Sequence, residues 1–261
     1  MTIIKHELKQ SKTSFSIWTV SIALLLACCV LIFPEMESEM DSAGAVFSSM
    51  GSFTQAFGLD RLNFGSLKGF YAIECGNIVG LGGAFFASIT AVSILSKEEK
   101  DRTAEFLLTH PVSRIRIITE KLASVLIQVV LMNVIIFGIA VLSMVMVKED
   151  IPWKDILLLH LAYLLLQLEL SGICFGISAF LRRGSVGVGL GLATMMYFLN
   201  LIGNMTSSVE FVKKITPFAY CEGADIITNR ELDMTLVVTG MVFAVIGVAA
   251  AYIKYNTKDV H

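Results

Sequence analysis

The chain has 261 residues, 55% of them hydrophobic and 16% charged, with a formal net charge of −2. A water-soluble domain carries about 25% charged residues, so this composition argues against a soluble globular class, and the near-neutral charge gives no case for nucleic-acid binding. The apolar residues are gathered in long runs, which makes the lipid bilayer the expected solvent and an all-α polytopic membrane protein the expected fold class.

A helix needs about 20 apolar residues to cross the hydrocarbon core. Residues 1–14 come first, with Ile3, Ile4 and Leu8 set among Lys5, Lys9 and Lys12. That pattern predicts a short helix lying in the inner membrane interface. The run 15–33 follows. Lysines ahead of an apolar run, with "LLAC" at 25–28, also fit a cleaved leader. Residues 29–33 nevertheless extend the run to 19 residues with no polar start, so an uncleaved span is expected. Five more runs, 70–95, 122–147, 156–181, 186–204 and 236–253, complete a single transmembrane domain over 1–261. Backbone groups in hydrocarbon must bond within the segment, which dictates helices, and the alternation of a membrane barrel is absent. The fold expected is therefore six transmembrane helices.

Lys and Arg set the orientation. With the N-terminus inside, the inner segments hold 13 of the 20 Lys and Arg in 52 residues, and the outer segments hold 7 in 75. Both termini are expected in the cytoplasm of a multi-pass cell-membrane protein. Of the five cysteines, Cys28, Cys29, Cys75 and Cys174 lie in apolar runs, where cysteine behaves as a small hydrophobe. A bridge between Cys75 and Cys221 stays open on sequence grounds.

The connection between the second and third spans is unlike its surroundings. Seven of the ten residues 96–105 are charged, with apolar runs of 26 residues on either side. Ser96 and Glu99 stand at capping-box spacing. Ala104, Leu107 and Leu108 form one helical stripe, and Pro111 stops that helix near His110. A second stripe, Ile115, Ile118 and Leu122, leads into the third span. A plain connection needs only a few residues, such as "RRGS" at 182–185; a helix of this length suggests a docked partner.

At these residues the chain resembles a family: the six-helix permease subunits of type 2 ABC exporters. The likeness is sharpest in "KEEKDRTAEFLLTHPVSRIRIITEKL", which is similar to that family's first cytoplasmic loop, with Thr103 where the family commonly has Gly. The N-terminal "IIKHELKQSKTSFSIW" and the outer-loop "ITPFAY" at 215–220 are similar as well. The resemblance implies a cytoplasmic coupling helix between spans 2 and 3 that inserts into an ATP-hydrolysing partner. On that basis Glu98, Arg102, Glu105, Phe106, Leu107 and Leu108 contact the ATPase, and Pro111 and Arg114 shape the turn. It further implies a second permease copy or a sister permease, ATP and Mg held by the partner, and efflux of a substrate that the sequence does not name.

The chain itself is not expected to be an enzyme. It has no G-x-x-x-x-G-K-[ST] loop to cradle ATP and no H-E-x-x-H zinc motif. The competing readings are an ion channel, a membrane anchor for a signalling ATPase and, more distantly, an intramembrane hydrolase. No metal or cofactor site is indicated. Gly76/Gly80, Gly172/Gly176 and Gly187/Gly189/Gly191 are read as small-residue helix packing. Asn77, Gln128, Asn133, Gln167 and Asn200 suit bonds between helices. Glu74 and His160 are expected near the outer interface, within reach of water. Glu169 stands at the middle of the fourth span, where a charge costs roughly 2.5–3.5 kcal/mol on insertion scales. It is a candidate pathway or interhelical residue, with Asn133 or Gln128 of the adjoining third span expected to satisfy it.

Overall fold

The computed structural model describes residues 2–48, 51–58, 61–63, 65–97, 112–181, 185–205 and 207–257. Among these the fold is all-helical, and six helices are long and apolar enough to cross a membrane. In chain order the helices are α1 (Thr2–Ser48), α2 (Ser52–Ala56), α3 (Leu67–Cys75), α4 (Gly82–Ser93), α5 (Arg114–Val147), α6 (Trp153–Phe180), α7 (Val186–Met205), α8 (Gly223–Asn229) and α9 (Met234–Thr257). A π-helical stretch, Gly76–Leu81, joins α3 to α4 as one continuous span.

The spans sit where the apolar runs predict, but two extend further. The interfacial helix expected at 1–14 is not a separate element. It forms the first turns of α1, which continues past residue 33 and carries Pro34 inside it. No glycine or proline interrupts 2–33, so nothing in the local sequence stops the helix. The third span begins at Arg114, ahead of the expected 122, because the Ser113 hydroxyl caps it by accepting from the Arg116 amide at 3.3 Å. At 34 residues, α5 is about 51 Å long. That exceeds the roughly 30 Å hydrocarbon core, so an upright α5 extends beyond it.

Helix α6 is the central post, with the largest buried share of the six spans. Against α9 it meets a seam of small residues. A Cβ on Gly176 would lie 2.6 Å from the Gly247 carbonyl oxygen, and one on Gly172 would lie 2.7 Å from the Ala244 Cβ. Against the second span, Tyr163 and Gln167 fill space left by glycines: a Cβ on Gly80 would lie 3.0 Å from the Tyr163 ring and one on Gly83 2.0 Å from Gln167 Nε2. Backbones that approach this closely gain dispersion contacts that lipid cannot match, the main attraction between helices where no hydrophobic effect separates them. In α7 only Gly189 packs this way, with a Cβ position 2.8 Å from the Ser88 carbonyl oxygen. Gly187 and Gly191 are exposed and meet nothing close from another helix, so the packing role expected of them does not hold.

Candidate functional site

The expected ATPase contacts Glu98, Arg102, Glu105, Phe106, Leu107 and Leu108, and the turn residue Pro111, lie outside the described residues. The two ends of that connection are described, and both are tied to other helices. Lys97 donates to Glu7 and, at 2.7 Å, to Gln10 Oε1. Lys121, 0% exposed, donates to the other Glu7 oxygen at 2.9 Å and to the Ile94 carbonyl at 2.8 Å. One carboxylate of α1 thus joins the last residue before the connection to the third turn of α5. Glu120 adds a second tie. Its Oε2 accepts from the amides of Ile3 and Ile4 at 3.1 and 3.3 Å, and its Oε1 from Arg116 Nε at 2.9 Å. The first turn of a helix has amides without intrahelical partners and a partial positive charge, so an anion there is stabilising. Arg114 does the converse: its guanidinium donates to the Tyr255 and Asn256 carbonyls, both at 3.3 Å, at the C-terminal end of α9.

Within the bundle, Glu169 is 1% exposed. Its partner is neither Asn133 nor Gln128. The Tyr220 hydroxyl donates to Glu169 Oε2 at 2.9 Å, while Asn133 Nδ2 donates to Gln167 Oε1 at 2.7 Å and Gln128 bonds the Ser124 carbonyl of its own helix at 3.0 Å. Gln167 and Glu169 differ in depth by only about 3 Å, the rise over two residues, but two residues turn a helix by about 200°. Gln167 therefore faces α5 while Glu169 faces α9, where a Cβ on Gly240 would lie 2.0 Å from its Oε2. Tyr220 reaches it from a short 3-10 helix, Pro217–Cys221, capped by Thr216 and fully buried. Thr216 Oγ1 donates to the Met196 carbonyl of α7 at 2.7 Å and Cys221 Sγ to the Ala162 carbonyl of α6 at 3.3 Å. All five cysteines are free thiols, so the Cys75–Cys221 bridge is absent.

His160 is 5% exposed rather than within reach of water, with Nε2 2.6 Å from the Tyr71 hydroxyl. Glu74 is only partly buried and accepts from Cys29 Sγ at 3.8 Å. It opens onto a cavity of about 300 Å³ at the far end of the bundle, between the second span, α7 and the chain around 217–224. Glu222 also lines this cavity. Burial pushes its carboxyl above the ordinary value and Asp225 adds to that, while Arg61 and Lys213 work against it.

Three features escaped the sequence reading: the Glu7 tie, Tyr220 and the cavity. Only Glu7 left a trace, as the one acid among the lysines of residues 1–14. Compared with protein-family models, residues 1–260 match the model described as ABC-2 family transporter protein. No curated protein matches the chain.

Proposed function

The chain belongs to the ABC-2 family of transporter proteins, and from that premise we propose that it couples ATP hydrolysis in a separate subunit to export of a substrate across the cell membrane. It is a permease subunit of an ABC transporter, multi-pass, with six membrane-spanning helices. In the proposed arrangement both termini and the 98–111 connection are cytoplasmic, a second permease copy or a sister permease completes the pathway, and the ATPase subunit holds ATP and Mg.

The observation that carries this reading is the double pairing of Glu7. The stripe of Leu107 and Leu108, with Glu98, Arg102, Glu105 and Phe106, docks on the ATPase; Pro111 and Arg114 set the turn. A push on that segment pulls on Lys97 at one end and on Arg114 to Lys121 at the other. Lys97 and Lys121 share Glu7, so α1 moves with them, and Arg114 carries the displacement to the end of α9. In a buried network with every member satisfied, moving one group requires moving its partners. Glu169, Asn133 and Gln128 are proposed as polar packing residues: the hydrogen bond of each ends on this chain's own helices or on its 217–221 segment.

A pull-down from the native membrane tests this directly. An ATPase subunit with a phosphate-binding loop is expected to co-purify with the chain. A pull-down free of any nucleotide-binding subunit would contradict the reading and favour a channel.

A further inference from the structure

The end of the bundle that holds Glu7 and Glu120 also carries cations with no partner in the chain. Lys97, Arg114, Arg116 and Lys121 are each paired there, and Lys254 lies over the Phe180 ring. Lys5, Lys9 and Lys12 are exposed and make no hydrogen bond or ion pair among the described residues. They stand at i, i+4 and i+7 of α1 and so share one face of it. Glu7 lies about 200° around the helix from Lys5 and is turned into the bundle. That face continues without a break. Ser16 and Val20 follow the lysines at nearly the same azimuth, with Leu24 beside them, and Val20 and Leu24 are 62% and 60% exposed. No charge stands between Lys12 and Glu35, an interval of 22 residues. At 1.5 Å per residue they span about 33 Å, close to the roughly 30 Å hydrocarbon core. In an upright α1, Lys12 and Lys9 therefore stand at the depth of the phospholipid headgroups, and Lys5, one turn beyond, reaches them with its long stem.

We propose that this face of α1 binds a phospholipid whose headgroup carries a net negative charge. The ammonium groups of Lys5, Lys9 and Lys12 hold the headgroup, and the acyl chains lie along Val20 and Leu24. The lysines and the exposed apolar residues share one face, so its occupant must be anionic at one end and apolar beyond it. A soluble phosphate meets only the first demand, and a zwitterionic lipid leaves the three cations without a net counter-charge. The lipid and Glu7 grip opposite sides of the same turns of α1. The assignment needs α1 to cross the bilayer and needs no ATPase, so it and the coupling reading stand or fall separately.

The test is native mass spectrometry of the full chain in an uncharged detergent, titrated with phosphatidylglycerol or with phosphatidylcholine of the same acyl chains. Phosphatidylglycerol is expected to bind the wild type at least tenfold more tightly than phosphatidylcholine, and soluble glycerol 3-phosphate is expected not to displace it. A lysine beside an anionic membrane surface is worth about fivefold. Lys9→Gln alone should therefore weaken phosphatidylglycerol about fivefold, and Lys5→Gln/Lys9→Gln/Lys12→Gln at least tenfold, with phosphatidylcholine unchanged. Lys148→Gln/Lys154→Gln, exposed lysines elsewhere that stand among Glu149, Asp150 and Asp155, should leave both lipids unchanged. Should the triple variant fail to fold, Lys9→Gln carries the comparison. Equal binding of the two lipids, undiminished phosphatidylglycerol binding in the α1 variants, an equal loss in the Lys148/Lys154 control, or displacement by glycerol 3-phosphate would overturn the assignment. So would loss of a co-purifying acidic protein from the triple variant with its lipid affinity intact.

Discussion

A carboxylate in the middle of an apolar span needs a donor within reach, and Glu169 finds one 51 positions further along the chain, in Tyr220. Its place at the centre of a span was legible in the sequence, because the window that fits a bilayer fixes depth. Its partner was not, because the choice between neighbouring helices turns on azimuth, and residues 215–220 read only as an outer loop. Tyr220→Phe is expected to leave the buried carboxyl without its donor and to cost about 1–3 kcal/mol. Glu169→Gln, which keeps an acceptor for Tyr220, should melt closer to wild type; the reverse order in thermal denaturation would contradict the pairing. Glu7 and Lys121 allow a sharper comparison. Glu7→Ala removes a carboxylate partner from Lys121, which has 0% exposure and keeps its bond to the Ile94 carbonyl, and removing one partner of a buried pair costs about 3–5 kcal/mol. Replacing both, as Glu7→Leu with Lys121→Met, removes both buried charges and is expected to be milder than Glu7→Ala alone. Equal losses would show that the pair does not hold this end of the bundle.

At the scale of elements, the existence and order of the six helices could be read from the chain because apolar length is set by the membrane itself. Their ends could not, since the first turns of α1 and α5 lie in polar sequence and are held by Glu120 and Ser113 rather than by lipid. The glycines show the same division. The sequence marks Gly172 and Gly176 as a packing motif, and the α6–α9 seam uses both; it marks Gly187 and Gly191 equally, and they meet no other helix. Periodicity identifies a face and leaves open whether another helix lies against it. Gly176→Ala should therefore cost about 1–3 kcal/mol by overpacking the seam. Gly138→Ala, in α5 with nothing within 4 Å of its Cβ position, should be neutral or slightly stabilising. Melting temperatures of the two variants in one detergent check this, and a similar loss in both would mean that the seam is not tightly packed.

In the whole molecule, Glu7, Glu120 and Arg114 tie the helices together at the end where Lys97 and Arg114 flank the proposed docking segment. That connection stood out in the sequence through its charge and its capping signals, whereas the ties at its ends depend on contacts between residues up to 142 positions apart and left almost no local mark. The central claim is that the apolar stripe of the connection holds an ATPase subunit. Its most direct measurement is the amount of ATPase that co-purifies with Leu107→Asp/Leu108→Asp compared with wild type at equal membrane insertion. Each buried Leu contributes about 1.5–3 kcal/mol, so the double variant is predicted to lose association by a factor of at least a hundred while its six spans remain inserted. Undiminished co-purification would mean that the stripe rests on lipid and would contradict the account.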